Sequence, residues 1–517
     1  MNTVASDASQ RGSAGAQDVT QRQIRGSSLL LVGRFVSLGV NLLAQVLVVR
    51  YLSTTDYGAW AYVLSVVALC QGFSTLGLDR AVTRFIPIYH EKQEYEKLFG
   101  TIFLTLGSIL LAGIVIVGAL YIWPEQMARL INDQEHALGL LLIMIFLVPV
   151  EALDGTLIGL FASFGSPRAI FFRRYVLGPG LKLAVVILLI LFKSEVTFLA
   201  YGYLAASVLG VLIYVWVLFA VLRGEGLLAK LHLLSVKVPV REVFSFTIPL
   251  LTSDLLAAVM LSSNAILLGY FWSLDQVAFF RVVAPLAMLN RSVMTSFALL
   301  YTPALARLFA RDDKHGMNEL YWRTTAWIAL LSFPIFAATF SLARPLTVMF
   351  YGARYEQSAV ILALLSLAYY FDAALGFNGL TLKVAGKLRY IVVINLLAAV
   401  ANVGVNLLLI PRLGALGAAI GTAGTVIAYN ILKQAGLRLI SGIRVFDKEY
   451  HSFYLTIGLS TVLLALIALL ASRALLLALP LTALTSVVVL LVAKRNLKIQ
   501  ETFPELVKVP LMRAILT

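Results

Sequence analysis

Fourteen stretches of the chain are long and apolar enough to cross a bilayer: 27–49, 57–77, 98–123, 137–162, 170–192, 197–222, 247–270, 276–300, 324–343, 357–380, 390–410, 413–432, 450–471 and 474–493. A crossing takes ~20 mostly apolar residues, because in lipid only a helix or a closed barrel satisfies its own backbone groups. The fifth stretch is interrupted by Gly178-Pro179-Gly180, and the last two are separated only by Ser472-Arg473. The pattern predicts an all-α polytopic membrane protein with about 14 transmembrane helices. Composition agrees: 60% of the residues are apolar and 13% charged, and a soluble chain with so few charges could not cover its surface.

Charge sets the direction of the spans. Of the 41 lysines and arginines, 30 fall in segments on the side of the N-terminus, with Arg173 and Arg174 at the start of the fifth stretch counted with Arg168 in the third of these segments, 7 in loops on the other side and four deeper within spans. Cytoplasmic loops collect Lys and Arg, so both termini are expected inside, in a multi-pass protein of the plasma membrane. The same rule accounts for the net charge of +15 without nucleic acid as a partner. Residues 1–26 are polar, lack an apolar signal core and are expected to form a disordered cytoplasmic lead. The tail 494–517 is basic and partly amphipathic (Phe503, Leu506, Val507, Val509, Leu511), suited either to the inner membrane surface or to solvent.

A short self-match suggests an internal duplication. Tyr51-Leu52-Ser53-Thr54-Thr55-Asp56-Tyr57-Gly58-Ala59-Trp60 follows the first span, and Tyr270-Phe271-Trp272-Ser273-Leu274-Asp275-Gln276-Val277-Ala278-Phe279 follows the seventh. Tyr, Asp and Ala coincide, and Gln45 falls on Asn264 in the same register. A duplicated unit of six helices keeps its orientation in the membrane. The expected organisation is an N-terminal six-helix lobe (27–222), a cytoplasmic linker (223–246), a C-terminal six-helix lobe (247–432), two additional helices (450–493) and the tail.

Eight ionisable residues are placed within the spans: Arg34, Lys182, Arg281 and Arg291, and Glu151, Asp154, Asp254 and Asp372. Eight facing lipid would cost roughly 20–28 kcal/mol at ~2.5–3.5 kcal/mol each, so they must face the bundle interior or water. Arg34, Asn41 and Gln45 share one face of the first helix, a polar stripe through the membrane. Glu151 and Asp154 are neighbours on the fourth helix. Lys182 follows the Gly-Pro-Gly, where a kink or break near midplane would free backbone groups beside it. A hydrated cavity accounts for the set, with Glu151, Asp154, Lys182, Asp254 and Asp372 as candidates for coupling to H⁺ or Na⁺. A fixed Lys182–Glu151 bridge is the alternative.

Other chemistries lack their residues. Cys70 stands alone, and His90, His136, His232, His315 and His451 all lie between apolar runs, so neither a metal site nor a haem site is expected, and no cofactor. There is no P-loop, and the longest outside loop, 124–136, is too short for the sugar-binding surface of a glycosyltransferase, ligase or polymerase. The chain is read as no enzyme.

Three stretches carry a family resemblance. They are Arg34-x6-Asn41 with Val49-Arg50-Tyr51-Leu52-Ser53-x2-Asp56-Tyr57-Gly58; Leu76-Gly77-Leu78-Asp79-Arg80-Ala81-x2-Arg84-Phe85-Ile86-Pro87-x-Tyr89; and Gly386-Lys387, Asn395, Asn402, Asn406 and Ile410-Pro411-x-Leu413-Gly414-Ala415-x-Gly417-Ala418-Ala419-Ile420-Gly421. Together they resemble the polysaccharide flippases of the multidrug/oligosaccharidyl-lipid/polysaccharide exporter superfamily. The resemblance implies two six-helix lobes around a central cavity plus two C-terminal helices, and transport of an isoprenoid-diphosphate-linked oligosaccharide from the inner to the outer leaflet. It also implies that basic residues of helices 1, 2 and 8 meet the diphosphate; here Arg34, Arg80, Arg84, Arg281 and Arg291 lie on those helices or just past their ends. Guanidinium forks suit phosphate at any depth. Glycan polymerase and glycosyltransferases of the same pathway are the partners implied. An ion-coupled drug extruder of the same superfamily and a non-transporting scaffold of a glycan-assembly complex remain as alternatives.

Overall fold

The computed structural model describes residues 32–497 except 125, 127–133, 165–166, 233–234, 445 and 472–474. The lead 1–26 and residues 498–517 of the tail lie outside the described residues. Within them every regular element is a helix. In chain order these are α1 (Val32–Tyr51), α2 (Thr54–Ser74), α3 (Leu78–Glu91), α4 (Tyr95–Ile122), α5 (Gln134–Met144), α6 (Leu147–Ser163), α7 (Arg168–Leu191), α8 (Val196–Gly224), α9 (Val240–Phe271), α10 (Leu274–Arg281), α11 (Ala284–Met288), α12 (Ser292–Ala310), α13 (Lys314–Ser341), α14 (Ala343–Tyr351), α15 (Ser358–Ala374), α16 (Asn378–Val384), α17 (Leu388–Ser441), α18 (His451–Ala471) and α19 (Leu475–Leu497).

Among the described residues, eleven helices are long and apolar enough to cross a membrane. Two further crossings are bent pairs, α2 with α3 and α5 with α6, each turned by 41° at a short break. The first bend is made by Leu76 and Gly77, both left-handed (φ 48° and 67°). Helix α17 is 54 residues long, about 80 Å if straight, far more than a bilayer. Its backbone leaves helical geometry at Gly414 (φ 55°, ψ −134°), and the two halves lie side by side. Gly417 sits against the Leu409 carbonyl, Gly421 against Asn406, and the Tyr390 hydroxyl donates to the Leu432 carbonyl at 2.8 Å. Small residues thus let the halves touch. Counting α17 as two crossings and each bent pair as one gives fourteen among the described residues, and the protein is an all-α polytopic membrane protein.

The described residues form two compact units that divide between Leu255 and Leu256, with Ser53–Ser65 grouped with the second. The first is built on Val82, Ile86, Leu98, Leu160, Phe161 and Tyr214, the second on Trp322, Phe333, Phe336, Tyr370 and Phe453. Leu469, Leu476 and Trp216 are among the most exposed side chains, the arrangement expected where lipid is the solvent. In the second unit the two segments matched by the internal repeat meet. Thr55 donates to Asp275 at 2.8 Å, and Gly58 packs directly on the Leu274 backbone.

Candidate functional site

The first unit encloses a cavity of about 540 Å³ whose walls come from α1, α3, α6, α7 and α8. Its charged lining is Asp79 and Arg80 on α3, Glu151 and Asp154 on α6, and Arg173, Arg174 and Lys182 on α7, with Asn41 of α1 and Ser207 of α8 beside them. Both carboxylates of α6 are engaged. Lys182 Nζ lies 3.2 Å from Glu151 Oε1, where the Ser207 hydroxyl also donates at 3.5 Å; Arg173 Nη2 lies 2.7 Å from Asp154 Oδ1. Arg80 pairs with Asp254 of α9, so that Asp254 joins Glu151, Asp154 and Lys182 as an expected coupling residue held in an ion pair.

Local backbone chemistry seats Arg173. Proline inside a helix removes one donor and crowds the preceding turn. Ahead of Pro179 the chain widens into a π-turn, Phe172–Leu177, and the Gly178 N–H donates to the Arg173 carbonyl five residues back. The π-turn absorbs the mismatch, and α7 continues to Leu191 as one span. Of the kink or break expected at Gly178-Pro179-Gly180, the structure shows no break but a widened turn just before it. Gly178 and Gly210 then leave the space that the guanidinium fills: a Cβ at either would come 2.5 Å from it. Arg173 is buried, with its carbon Cζ 5.3 Å from the centre of the Tyr214 ring. Sequence reasoning counted Arg173 and Arg174 among the cations of the third cytoplasmic segment and so missed both; glycines flanking an arginine on neighbouring apolar spans were the available signal.

The second unit carries a separate charged cluster. Arg291, in the turn before α12, sits with Nε 2.8 Å from Asp372 Oδ2 on α15. Asp372 Oδ1 accepts from Asn430 at 2.8 Å and from the Tyr429 hydroxyl at 3.4 Å. Arg291 Cζ lies 5.7 Å from the centre of the Tyr369 ring, Arg281 is within electrostatic reach of the same tyrosine, and Lys433 lies 4.1 Å from the centre of the Tyr429 ring. Asp372, grouped by its place in the sequence with the coupling acids, is thus the counter-ion of Arg291. A third polar group joins α9 to both halves of α17: Asn264 donates to Thr422 at 2.9 Å and accepts from Asn406, which also donates to Asn402 at 3.2 Å.

The remaining expected residues are spread out. On α1, Asn41 reaches the cavity and donates to Ser37 at 3.1 Å, Gln45 is half-buried and Arg34 is exposed. Arg84 is exposed and stacks on Phe246, 4.3 Å from the ring centre. Among the described residues no group of three His, Cys, Asp or Glu side chains could hold a metal ion.

A family model described as polysaccharide biosynthesis protein matches residues 24–309, more than half of the 517-residue chain. The protein belongs to this family. It is 23% identical over 464 residues to the lipid II flippase MurJ of Bacillus subtilis (strain 168), covering 78% of this chain and 80% of that protein. A solved structure of the lipid II flippase MurJ, in an inward closed conformation, superposes with a TM-score of 0.70 at 15% identity, covering 91% of this chain and 99% of that one. An inward-facing multidrug resistance MATE family transporter of the MOP superfamily superposes with a TM-score of 0.62 at 16% identity, covering 78% and 95%. The fold is shared with both.

Proposed function

We propose that this protein carries an isoprenoid-diphosphate-linked oligosaccharide from the inner to the outer leaflet of the plasma membrane, by alternating access, for surface polysaccharide assembly. Both termini then face the cytoplasm, and no covalent chemistry is performed on the glycan. The single observation that carries this reading is the sign of the polar interior. Four cations and three carboxylates line the first unit's cavity, where Asp254 answers Arg80 and leaves the charges even; the excess of base is in the second unit, where Arg291 and Lys433 lie around the Asp372 carboxylate. Fixed positive charge in a water-filled pocket of a membrane protein selects anions, and guanidinium groups bind phosphate in forked pairs.

Within this cycle Glu151 is the acid suited to exchange a proton or hold Na⁺. Its contact with Lys182 is the longer of the two on α6, and both partners are about a third exposed. Asp154 instead holds Arg173 in its seat. Family membership also makes the glycosyltransferases and polymerase of the same pathway natural partners.

The multidrug transporter fold keeps a drug-extruding reading in play, and thermal unfolding of the purified protein separates the two. A ligand that binds only the folded state stabilises it by about 2.7 kcal/mol at a hundred times its Kd. A polyprenyl-diphosphate sugar is expected to raise the midpoint, and lipophilic organic cations are not. Stabilisation by the cations alone would exclude the lipid-transport reading. No response to either class, with normal folding, would favour the scaffold.

A further inference from the structure

Three charged pairs at the first unit's cavity are closed: Lys182 with Glu151, Arg173 with Asp154 and Arg80 with Asp254. Two charges of the lining are left over, one of each sign. Asp79, half-buried in the first turn of α3, has no ion-pair or hydrogen-bond partner among the described residues, and neither has the exposed Arg174 of α7. The Asp79 side chain does not cap its own helix. Thr83, one turn along α3 from Asp79, and Asn41 of α1 add groups to the same lining that both donate and accept.

The leftover pair specifies a ligand. An ionised carboxylate accepts and never donates, and a guanidinium donates and never accepts. An anion would leave Asp79 unanswered, and a cation would leave Arg174 so. A neutral polyol suits both, because each hydroxyl donates on one side and accepts on the other. Val150, Ile158 and Pro179 also line the cavity and offer apolar surface to the C–H face of a sugar ring. The volume, about 540 Å³, is that of pockets that enclose a small ligand. We propose that this cavity seats a sugar of the transported glycan, with Asp79 accepting from its ring hydroxyls and Arg174 donating to them. The carrier's diphosphate is then met elsewhere, and this cavity supplies the preference for a carrier loaded with sugar over a bare one. The proposal rests on the transport reading for the lipid that bears the sugar.

Binding to the purified full-length protein, in a detergent without a sugar head group, tests it with two probes: a polyprenyl diphosphate bearing one glucose, and the same polyprenyl diphosphate with no sugar. The readout is the ratio of their dissociation constants. The wild type is expected to prefer the glucosylated lipid by about tenfold, since charge-assisted hydrogen bonds go unmade without the sugar. Asp79→Ala and Arg174→Gln should each lower that preference several-fold, and the double variant should bring the ratio close to one. Asp79→Asn keeps an acceptor oxygen and should fall between wild type and Asp79→Ala. A merely structural role for either residue weakens both probes together and leaves the ratio where it was. A wild-type ratio near one, or a ratio unchanged in folded Asp79→Ala and Arg174→Gln, overturns the proposal; should Asp79→Ala not fold, an unchanged ratio in Arg174→Gln overturns it alone. Transport of the glucosylated lipid is read separately in liposomes. A wild type that prefers this lipid and moves none would end the transport reading and leave the sugar seat standing, whereas one that moves it with a ratio near one would do the reverse.

Discussion

Arg173 fits inside its unit because Gly178 and Gly210 have no side chains, and because Asp154 supplies its counter-charge. Gly210→Ala would push the guanidinium off that carboxylate, at a cost of about 1–3 kcal/mol. A lower unfolding midpoint in detergent is expected, and an unchanged one would contradict the packing described. The two acids of α6 should also behave differently. Asp154→Asn strands a buried arginine and is expected to cost about 3–5 kcal/mol, seen as a collapse in folded yield. Glu151→Gln breaks a pair a third exposed on each side, worth about 0–1 kcal/mol, and should leave folded yield intact while altering ion-driven transport. Equal losses from both would place the two carboxylates in one structural role. Most of these residues were legible in the sequence as charges out of place in apolar spans. Of their pairings, Lys182 with Glu151 stood among the alternatives read from the sequence; Arg80 with Asp254 and Arg291 with Asp372 did not, since each joins residues far apart in the chain.

Among the elements, α17 shows how a short motif becomes architecture. Ile410-Pro411 ends the first half, and the break frees backbone groups that side chains then satisfy: the Trp272 indole donates to the Ile410 carbonyl at 2.7 Å, and the Ala415 N–H donates to Gln276 at 2.9 Å. Gly414 stands at the break with a left-handed φ and a ψ of −134°, a combination that only glycine adopts without strain. Gly414→Ala is expected to cost about 1–3 kcal/mol, measurable as a drop in unfolding midpoint, and a wild-type midpoint would mean the break does not depend on glycine. Hydropathy already separated 390–410 from 413–432, and it found every other crossing. It could not foresee the π-turn of α7. Gly178-Pro179-Gly180 announces a disturbance, but where it is absorbed depends on the neighbours that pack around Arg173.

At the scale of the whole molecule, the fourteen crossings counted among the described residues would put both termini on one side of the membrane, and on the proposed reading loop charge makes that side the cytoplasm. Reporter fusions after residues 230 and 440 should both read cytoplasmic, and an external reading at either would break the topology. The number of crossings was legible because each bilayer crossing writes its own apolar run. The grouping of cations was not, because it depends on which helices pack together: the structure places Arg80 with Glu151 and Lys182 around one cavity, and Arg291 beside Tyr369 with Arg281 within electrostatic reach of the same tyrosine. The central claim is that this protein moves a diphosphate-linked glycan lipid between leaflets. It is tested most directly by reconstituting the protein into liposomes with a defined polyprenyl-diphosphate sugar in the membrane and following access of an external sugar-modifying reagent. The expected result is a protein-dependent rise in the accessible fraction above one leaflet's share, slowed in Arg291→Gln. An accessible fraction identical to that of protein-free liposomes, from folded and correctly inserted protein under an imposed H⁺ or Na⁺ gradient, would contradict the account.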